Sequence, residues 1–363
     1  MTRFIFFSKT MYSEEPRIRH QLAELLLSFG HEVVFYQKPL FIFNNKGKLI
    51  NQTISSNLEI RQTKQLLHHQ LRVVNWFSFL NCSYEKRNIV SSLAKVNDND
   101  VVINFNYDYF FLRSIFKKNK IITLINDDFV AQSKFNKGKH ALKYLSKTIK
   151  MSDVVLTVSY PLFEQANKFS ESVQVFLPWS TQEYSRPVES NRNTILLWAY
   201  IDKRIDFDLI EYILKNNKMF AFHIVGPVSK NNFTYINRLK EKYSNLTLYP
   251  SSSLEELHLD RYFASVLPYK SKDHATEAVT TSNKTFQLLS KGLPLVTYGM
   301  PSFFEHEAIF KAKNYEEFSL FINKTYEEFY TLQPYIEKLI NKQQPANRYE
   351  QLISIINQEN VNV

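Results

Sequence analysis

The chain of 363 residues has one cysteine, Cys82, so no internal disulfide framework exists, which agrees with the cytoplasm. No apolar run approaches the length of a membrane-spanning helix. The opening MTRFIFFSKT carries a basic residue and a short apolar run, but no small-residue cleavage site follows. It therefore reads as a first strand and not as a signal peptide. Also missing is the glycine fingerprint of dinucleotide sites, which counts against a nicotinamide or flavin enzyme. There is no P-loop, no Gly-x-Ser-x-Gly elbow, no metal-ligand spacing, no internal repeat and no low-complexity tract. Acidic residues are the scarcer charge, 35 against 45 Lys and Arg, for a formal net charge of +10. That excess implies an anionic partner: nucleic acid, an acidic membrane face or a phosphorylated substrate.

The length exceeds one ordinary core and suggests two domains of roughly 150 to 200 residues. A hydrophobic share of 44% with 15% aromatic is enough to fill both. Phe4 to Phe7 reads as a buried strand. Arg17 to Phe29 reads as a helix with Ile18, Leu22, Leu25, Leu26 and Phe29 on one face, Gly30 as its stop and His31 to Tyr36 as the next strand. From Lys38 to Leu80 the pattern is harder: Asn45-Lys46-Gly47 marks a turn, and Leu71 to Leu80 reads as one or two strands. Then come strands at Val101 to Asn104, Ile121 to Ile125 and Val154 to Val158, with a helix expected from Tyr109 to Phe116. Strands alternating with helices indicate a parallel sheet covered on both faces.

Asn126-Asp127-Asp128-Phe129 follows the strand Ile121 to Ile125, at the end of a parallel strand where α/β sheets bind ligands. One of these carboxylates is a candidate general base; alternatively Asp127 or Asp128 caps the helix that follows. Asp128 is preferred as base, because the first Asp is expected to order the turn. No acid lies between Asp128 and Asp153, while Lys134, Lys137, Lys139, Lys143, Lys147 and Lys150 all do. A helix from Lys139 to Lys150 sets Leu142, Leu145 and Ile149 opposite the lysines. Lys139, Lys143 and Lys147 then form either a surface for anionic lipid or the solvated face of an ordinary core helix.

Ser185 to Asn193 reads as a linker. Beyond it, strands are expected at Thr194 to Trp198, Ala221 to Val225, Leu246 to Tyr249 and Ala264 to Tyr269. Arg204 is a phosphate ligand or a structural pair with Asp206 or Asp208, and His223, within an apolar strand, is a core residue. The sharpest local signal is TSNKTFQLLSKGLPLVTY from Thr281 to Tyr298. Ser282 is the N-cap, Asn283 to Lys291 the helix, Gly292 its stop, and Leu295 to Tyr298 a short core strand after Pro294. The N–H groups of Asn283, Lys284 and Thr285, the helix dipole and the Lys284 ammonium together suit a phosphate or pyrophosphate. Helices follow at Tyr315 to Tyr330 and Tyr349 to Ile356.

The segment N-K-x-F-Q-x-L-S-x-G-x-P-L-V resembles the donor-binding segment of bacterial GT-B glycosyltransferases, N-P-x-K-x-Y-E-Y-L-A-x-G-x-P-V-V, with Lys284, Gly292 and Pro294 matching. The resemblance extends to the opening R-x-R-H-x-L-A-x-L-L-x-x-x-G-H-E-V, to Ser152 to Ser159, to Ala199 to Asp206, to Gly226-Pro227 and to Leu267-Pro268-Tyr269. It is nearest to enzymes that build capsule, teichuronic-acid and xanthan-type polysaccharides. It implies two Rossmann-like, doubly wound α/β domains facing a cleft. Residues 1–185 would be the acceptor side; residues 186–363 would bind the nucleotide sugar, with a helical tail packing back on the first domain. The donor set it implies is Ser282, Asn283, Lys284, Thr285, Gln287, Arg204 and Gly226, with Gln287 where such families carry the acid that holds the ribose. Asp127 or Asp128 would act on the acceptor. The substrates implied are a uridine diphosphate sugar and a glycan or lipid-linked glycan, with no cofactor, no metal and no nucleic acid. The place implied is the cytoplasm, peripheral on the inner membrane face. The rival reading, resting on net charge alone, is a non-enzymatic nucleic-acid binder.

Overall fold

The computed structural model describes the chain apart from residues 15–16, 44–47, 67–74, 94–95, 132, 134–137, 181, 274–275, 277–280, 282, 302 and 359–363, and apart from the side chains of 75, 76 and 283. It divides into two units, Met1–Leu177 with Tyr349–Val363, and Pro178–Arg348. The division thus falls after Leu177, ahead of the boundary expected at residue 186, and the last stretch of the chain goes with the first unit.

The first unit is built on β1 (Arg3–Phe7), α1 (Ile18–Ser28), β2 (Glu32–Phe41), β3 (Gln52–Ser55), β4 (Leu58–Gln65), α2 (Asn75–Ser92), β5 (Val101–Asn104), β6 (Lys120–Ile125), α3 (Gly138–Met151), β7 (Val154–Thr157), α4 (Tyr160–Asn167) and β8 (Val173–Val175). Its strands lie in the order β3-β4-β2-β1-β5-β6-β7-β8, parallel throughout except for β3 on β4. A parallel sheet covered on both faces needs continuous apolar strands. Phe4, Ile5, Phe6 and Phe7 in β1 are accordingly all buried. Each such side chain contributes roughly 1.5–3 kcal/mol on leaving water. Gly30, at φ +78°, ends α1 in a conformation that costs other residues energy.

The second unit carries β9 (Thr194–Trp198), α5 (Phe207–Asn216), β10 (Ala221–Val225), α6 (Phe233–Lys242), β11 (Leu246–Tyr249), β12 (Tyr262–Pro268), α7 (Asn283–Ser290), β13 (Leu295–Tyr298), β14 (Ile309–Ala312), α8 (Tyr315–Glu327) and α9 (Phe329–Lys342). Its sheet, β11-β10-β9-β12-β13-β14, is parallel in every pairing. The closing helix α10 (Pro345–Asn357) meets the first unit from Tyr349 onward. The Tyr349 ring stacks on Phe29 at 3.8 Å, its hydroxyl lies 2.8 Å from His31 Nε2, and Lys120 Nζ donates to the carbonyls of Ile355, Ile356 and Gln358. A cation on the last carbonyls of a helix offsets their dipole.

Several expectations are corrected. Of the strands expected over Leu71 to Leu80, residues 71–74 lie outside the described residues, and from Asn75 on the chain is α2. Its buried residues Asn81, Cys82, Glu85 and Ile89 recur at helical spacing, and that pattern only emerges past Leu80. The helix expected from Tyr109 to Phe116 shrinks to one 3-10 turn, Leu112–Ser114. Tyr109, Phe111, Leu112 and Phe116 are all buried, so no single apolar face exists, and Arg113 draws the carbonyls of Phe116 and Asn119. The helix expected to run to Tyr330 breaks at Glu328 into α8 and α9. β3, β4 and β14 had no sequence signal, and the Asn45-Lys46-Gly47 turn lies outside the described residues. Among the described residues no helix is long and apolar enough to cross a membrane.

Candidate active site

Ligands of open α/β sheets bind beyond the carboxyl ends of the strands, where the strand order reverses. In the second unit that point lies at β9 and β12. β9 ends at Trp198, and the loop after it is stitched to the end of β12: Asp206 N donates to Pro268 O, and Lys270 N donates to Arg204 O. Gly226, just past β10, has φ +142°, and a Cβ there would lie 2.1 Å from the Ala199 carbonyl oxygen. Glycine is thus required for the two turns to press together, and Gly226 shapes this loop through backbone packing.

Arg204 sits on that loop. Its partner is neither Asp206 nor Asp208 but Asp202, which takes Nε at 3.0 and 3.1 Å and Nη2 at 2.8 Å. Asp206 instead caps α5 through Leu209 N and accepts from the Tyr315 hydroxyl. Burial alone would lower the Arg204 pKa, but the Asp202 hydrogen bond and the Tyr269 and Asp202 charges raise it. Its Nη1 makes no hydrogen bond among the described residues.

α7 begins beside this loop. Lys284 is exposed, and its Nζ stands 5.0 Å from the centroid of the Trp198 ring. Trp198 is fixed in turn, since its Nε1 donates to Ser252 O at 2.9 Å. Phe286, Leu288 and Leu289 are buried and seat the helix; Gln287 is half-buried. Thr285 is buried, and its Oγ1 has no hydrogen-bond partner among the described residues. Gly292, at φ +71°, is the C-terminal stop expected: its N–H reaches Leu289 O, and Leu293 N reaches Leu288 O. Ser282 and the Asn283 side chain lie outside the described residues. The first N–H groups of any α-helix lack intrahelical acceptors, and at α7 these belong to Asn283, Lys284 and Thr285. His223 donates to or accepts from Tyr262 Oη at 3.0 Å and is held neutral, its pKa lowered to about 4 by burial and then by Arg261, as a core residue should be.

In the first unit the order reverses at β1 and β5, and Asp127 and Asp128 follow β6. The turn-ordering expected of Asp127 falls to Asp128. Asp128 Oδ1 accepts from the amides of Val130 at 3.0 Å and Ala131 at 2.9 Å, so the second Asp orders the turn. Asp127 Oδ2 accepts a hydrogen bond from Asn126 Nδ2 and lies 3.8 Å from Arg19 Nη2. Arg19 was not foreseen; nothing in R-x-R-H distinguishes it from the exposed Arg17. It is buried in α1, with Nη1 3.4 Å from Ser8 Oγ and Thr10 Oγ1 and its carbon centre over Phe105. Burial lowers its pKa to about 10 against the pull of Asp127, so it stays charged at neutral pH. Past the ends of β5, β6 and β7, Asn106 Nδ2, Asn126 Oδ1 and Ser159 Oγ are buried without hydrogen-bond partners among the described residues. His20, on α1, is used structurally: Nδ1 accepts from Arg17 N and Nε2 meets Met11 O.

α3 buries Ala141, Tyr144, Leu145, Thr148 and Ile149, with Leu142 only half-buried and Tyr144 taking its place in the stripe. Lys139, Lys143 and Lys147 are exposed, and Lys147 Nζ lies over the rings of Phe110 and Tyr144. Lys134 and Lys137 lie outside the described residues. Ser78 Oγ on α2 bonds His140 Nε2 on α3 at 3.0 Å.

The chain matches no protein-family model and no curated protein sequence; solved structures do match. Two parallel α/β units of this kind make up the GT-B fold, and the whole chain has that fold. It is similar to the lipopolysaccharide outer core galactosyltransferase WaaB, with TM-score 0.70 and 13% identity over 98% of this chain and 99% of that one. WaaG, a glycosyltransferase involved in lipopolysaccharide biosynthesis, superposes with TM-score 0.63 and 13% identity over 99% and 100%. A UDP-forming α,α-trehalose-phosphate synthase from Burkholderia xenovorans gives 0.62 and 10% over 99% of each chain.

Proposed function

We propose that the chain is a nucleotide-sugar-dependent glycosyltransferase of bacterial surface polysaccharide synthesis. The observation that carries this reading is the Lys284 ammonium, set at the start of α7 and over Trp198, at the strand end where α/β sheets take ligands. The second unit holds the donor. Lys284, the α7 amides and Arg204 Nη1 bind its diphosphate, and Gln287 offers a hydrogen bond to a ribose hydroxyl. For an inverting transfer, the acceptor oxygen attacks the anomeric carbon as the bond to the diphosphate breaks. The carboxylate after β6 takes the acceptor's proton, and Lys284 with its helix start stabilises the charge that develops on the departing diphosphate. A uridine diphosphate sugar is the donor favoured, since one similar fold is UDP-forming; a glycan or lipid-linked glycan is the acceptor favoured, since two serve lipopolysaccharide. No step here uses a metal.

The test is a thermal scan with uridine, guanosine, cytidine and thymidine diphosphates. A ligand of the folded state stabilises it by mass action, by about 2.7 kcal/mol at a hundred times its Kd. One diphosphate, expected to be uridine, should raise the melting temperature. Salt-sensitive retention on polyanions with no response to any diphosphate would instead return the chain to the nucleic-acid-binding alternative.

We also propose that α3 docks the enzyme on the inner, anionic face of the cytoplasmic membrane. Its lysines supply the charge, and the exposed Phe79 and Leu80 on the neighbouring α2 supply apolar side chains beside them. Each lysine near an anionic surface is worth about 1 kcal/mol and is screened by salt. The chain should co-sediment with phosphatidylserine-containing vesicles and be released by salt, and the Lys139, Lys143 and Lys147→Gln variant should co-sediment much less. Equal sedimentation of the two proteins, or none by either, would leave these lysines a solvated face.

A further inference from the structure

We propose that Trp198 is a positioning residue for the donor diphosphate, acting through Lys284. This deepens the donor-site reading and rests on it.

Trp198 is a rigid platform. It is the last residue of one of the two central strands of its sheet, in register with Val225 of β10, and its indole is tethered through Nε1 to Ser252 O. The Lys284 ammonium lies over that ring at 5.0 Å, within the range of about 6 Å over which an indole face attracts a cation. A lysine ammonium is a point charge on a flexible stem, and fixing it when a phosphate arrives costs rotamer freedom. An indole that gathers the stem beforehand removes part of that cost, which strengthens binding without adding any contact to the ligand.

The other cation of this site is held differently. Arg204 is oriented by the Asp202 carboxylate, which cancels much of its charge. At Lys284 the contact with Trp198 is to an aromatic face, which attracts the ammonium through its quadrupole. Trp198 therefore prepares the ammonium and Asp202 prepares the guanidinium.

The test titrates uridine diphosphate and inorganic pyrophosphate by calorimetry into wild type, W198F, W198L, K284Q and the W198L/K284Q double variant. W198L should weaken binding by about three- to tenfold, the scale of a cation–π contact with its ordering effect. W198F, which keeps an aromatic face and loses the tether, should lose about twofold or less. In the K284Q background, W198L should cost nothing further, because its effect passes through the ammonium. A W198L loss of equal size in both backgrounds would show that Trp198 supports the loop or touches the ligand itself, and would overturn the proposal; so would no loss in the wild-type background. Unchanged affinity in K284Q would bring down the donor-site reading and this inference with it, a distinct result. Indole emission provides a second measurement that needs no change at Trp198: without ligand, K284Q should differ from wild type, and identical spectra would contradict the contact.

Discussion

Asp127→Asn is expected to lower single-turnover sugar transfer by about a hundred- to ten-thousandfold, the usual contribution of a general base, while donor affinity is retained. Asp128→Asn should stay within about threefold of wild type, since Asn caps amides nearly as well as Asp. The asymmetry follows from what each carboxylate already does. Asp128 Oδ1 is occupied by the amides of Val130 and Ala131, a duty an amide oxygen can perform. Asp127 carries its charge beside Arg19, and the amide removes both that charge and the proton affinity. Leaving Arg19 buried without its ion partner also costs stability, although Asp127 is 37% exposed and solvent screening keeps that cost small. Circular dichroism must therefore accompany the kinetics. If Asp128→Asn abolishes transfer and Asp127→Asn does not, the base is the residue that orders the turn; if neither variant is impaired, the base is not at this strand end.

That the second Asp and not the first orders the turn shows where sequence reasoning stops. Parallel sheets bind ligands beyond the carboxyl ends of their strands, and Asp127 and Asp128 lie just past one such end. Which of two adjacent carboxylates bends back onto the amides depends on turn geometry that the order Asn-Asp-Asp-Phe leaves open. Strands such as Val101–Asn104, Thr194–Trp198, Leu246–Tyr249 and Leu295–Tyr298 were legible to the residue, because short apolar runs bounded by turn formers have one reading. α2 was not legible. Its first turns carry the aromatics Trp76, Phe77 and Phe79, which favour strands, and the helical burial of Asn81, Cys82 and Glu85 sets polar residues inside, against the rule that pattern reading relies on. Arg19, Trp198 and the Asp202 partner of Arg204 escaped for a related reason: each is defined by a contact rather than by its neighbours in the chain.

Lys284→Ala is expected to weaken nucleoside diphosphate binding by about ten- to a hundredfold, the loss of one hydrogen bond to a charged group being worth about 1.5–3 kcal/mol. The fold should be unaffected. Lys284 is exposed, and the residues that seat α7 are Phe286, Leu288 and Leu289, so the change removes charge and little packing. Helix propensity does not suffer either, since alanine is the best helix former. The residual affinity should come from the α7 amides and Arg204, and it should fall with added salt less steeply than wild-type affinity does, because one charge has been removed. The most direct measurement is calorimetric titration of uridine diphosphate into wild type and Lys284→Ala at one ionic strength, with far-ultraviolet dichroism of both proteins. Saturable binding by wild type and a drop of at least about tenfold in a fully folded variant is the expected result; equal affinity in a folded variant, or no binding by wild type to any nucleoside diphosphate, would contradict the assignment of this helix start as the donor site.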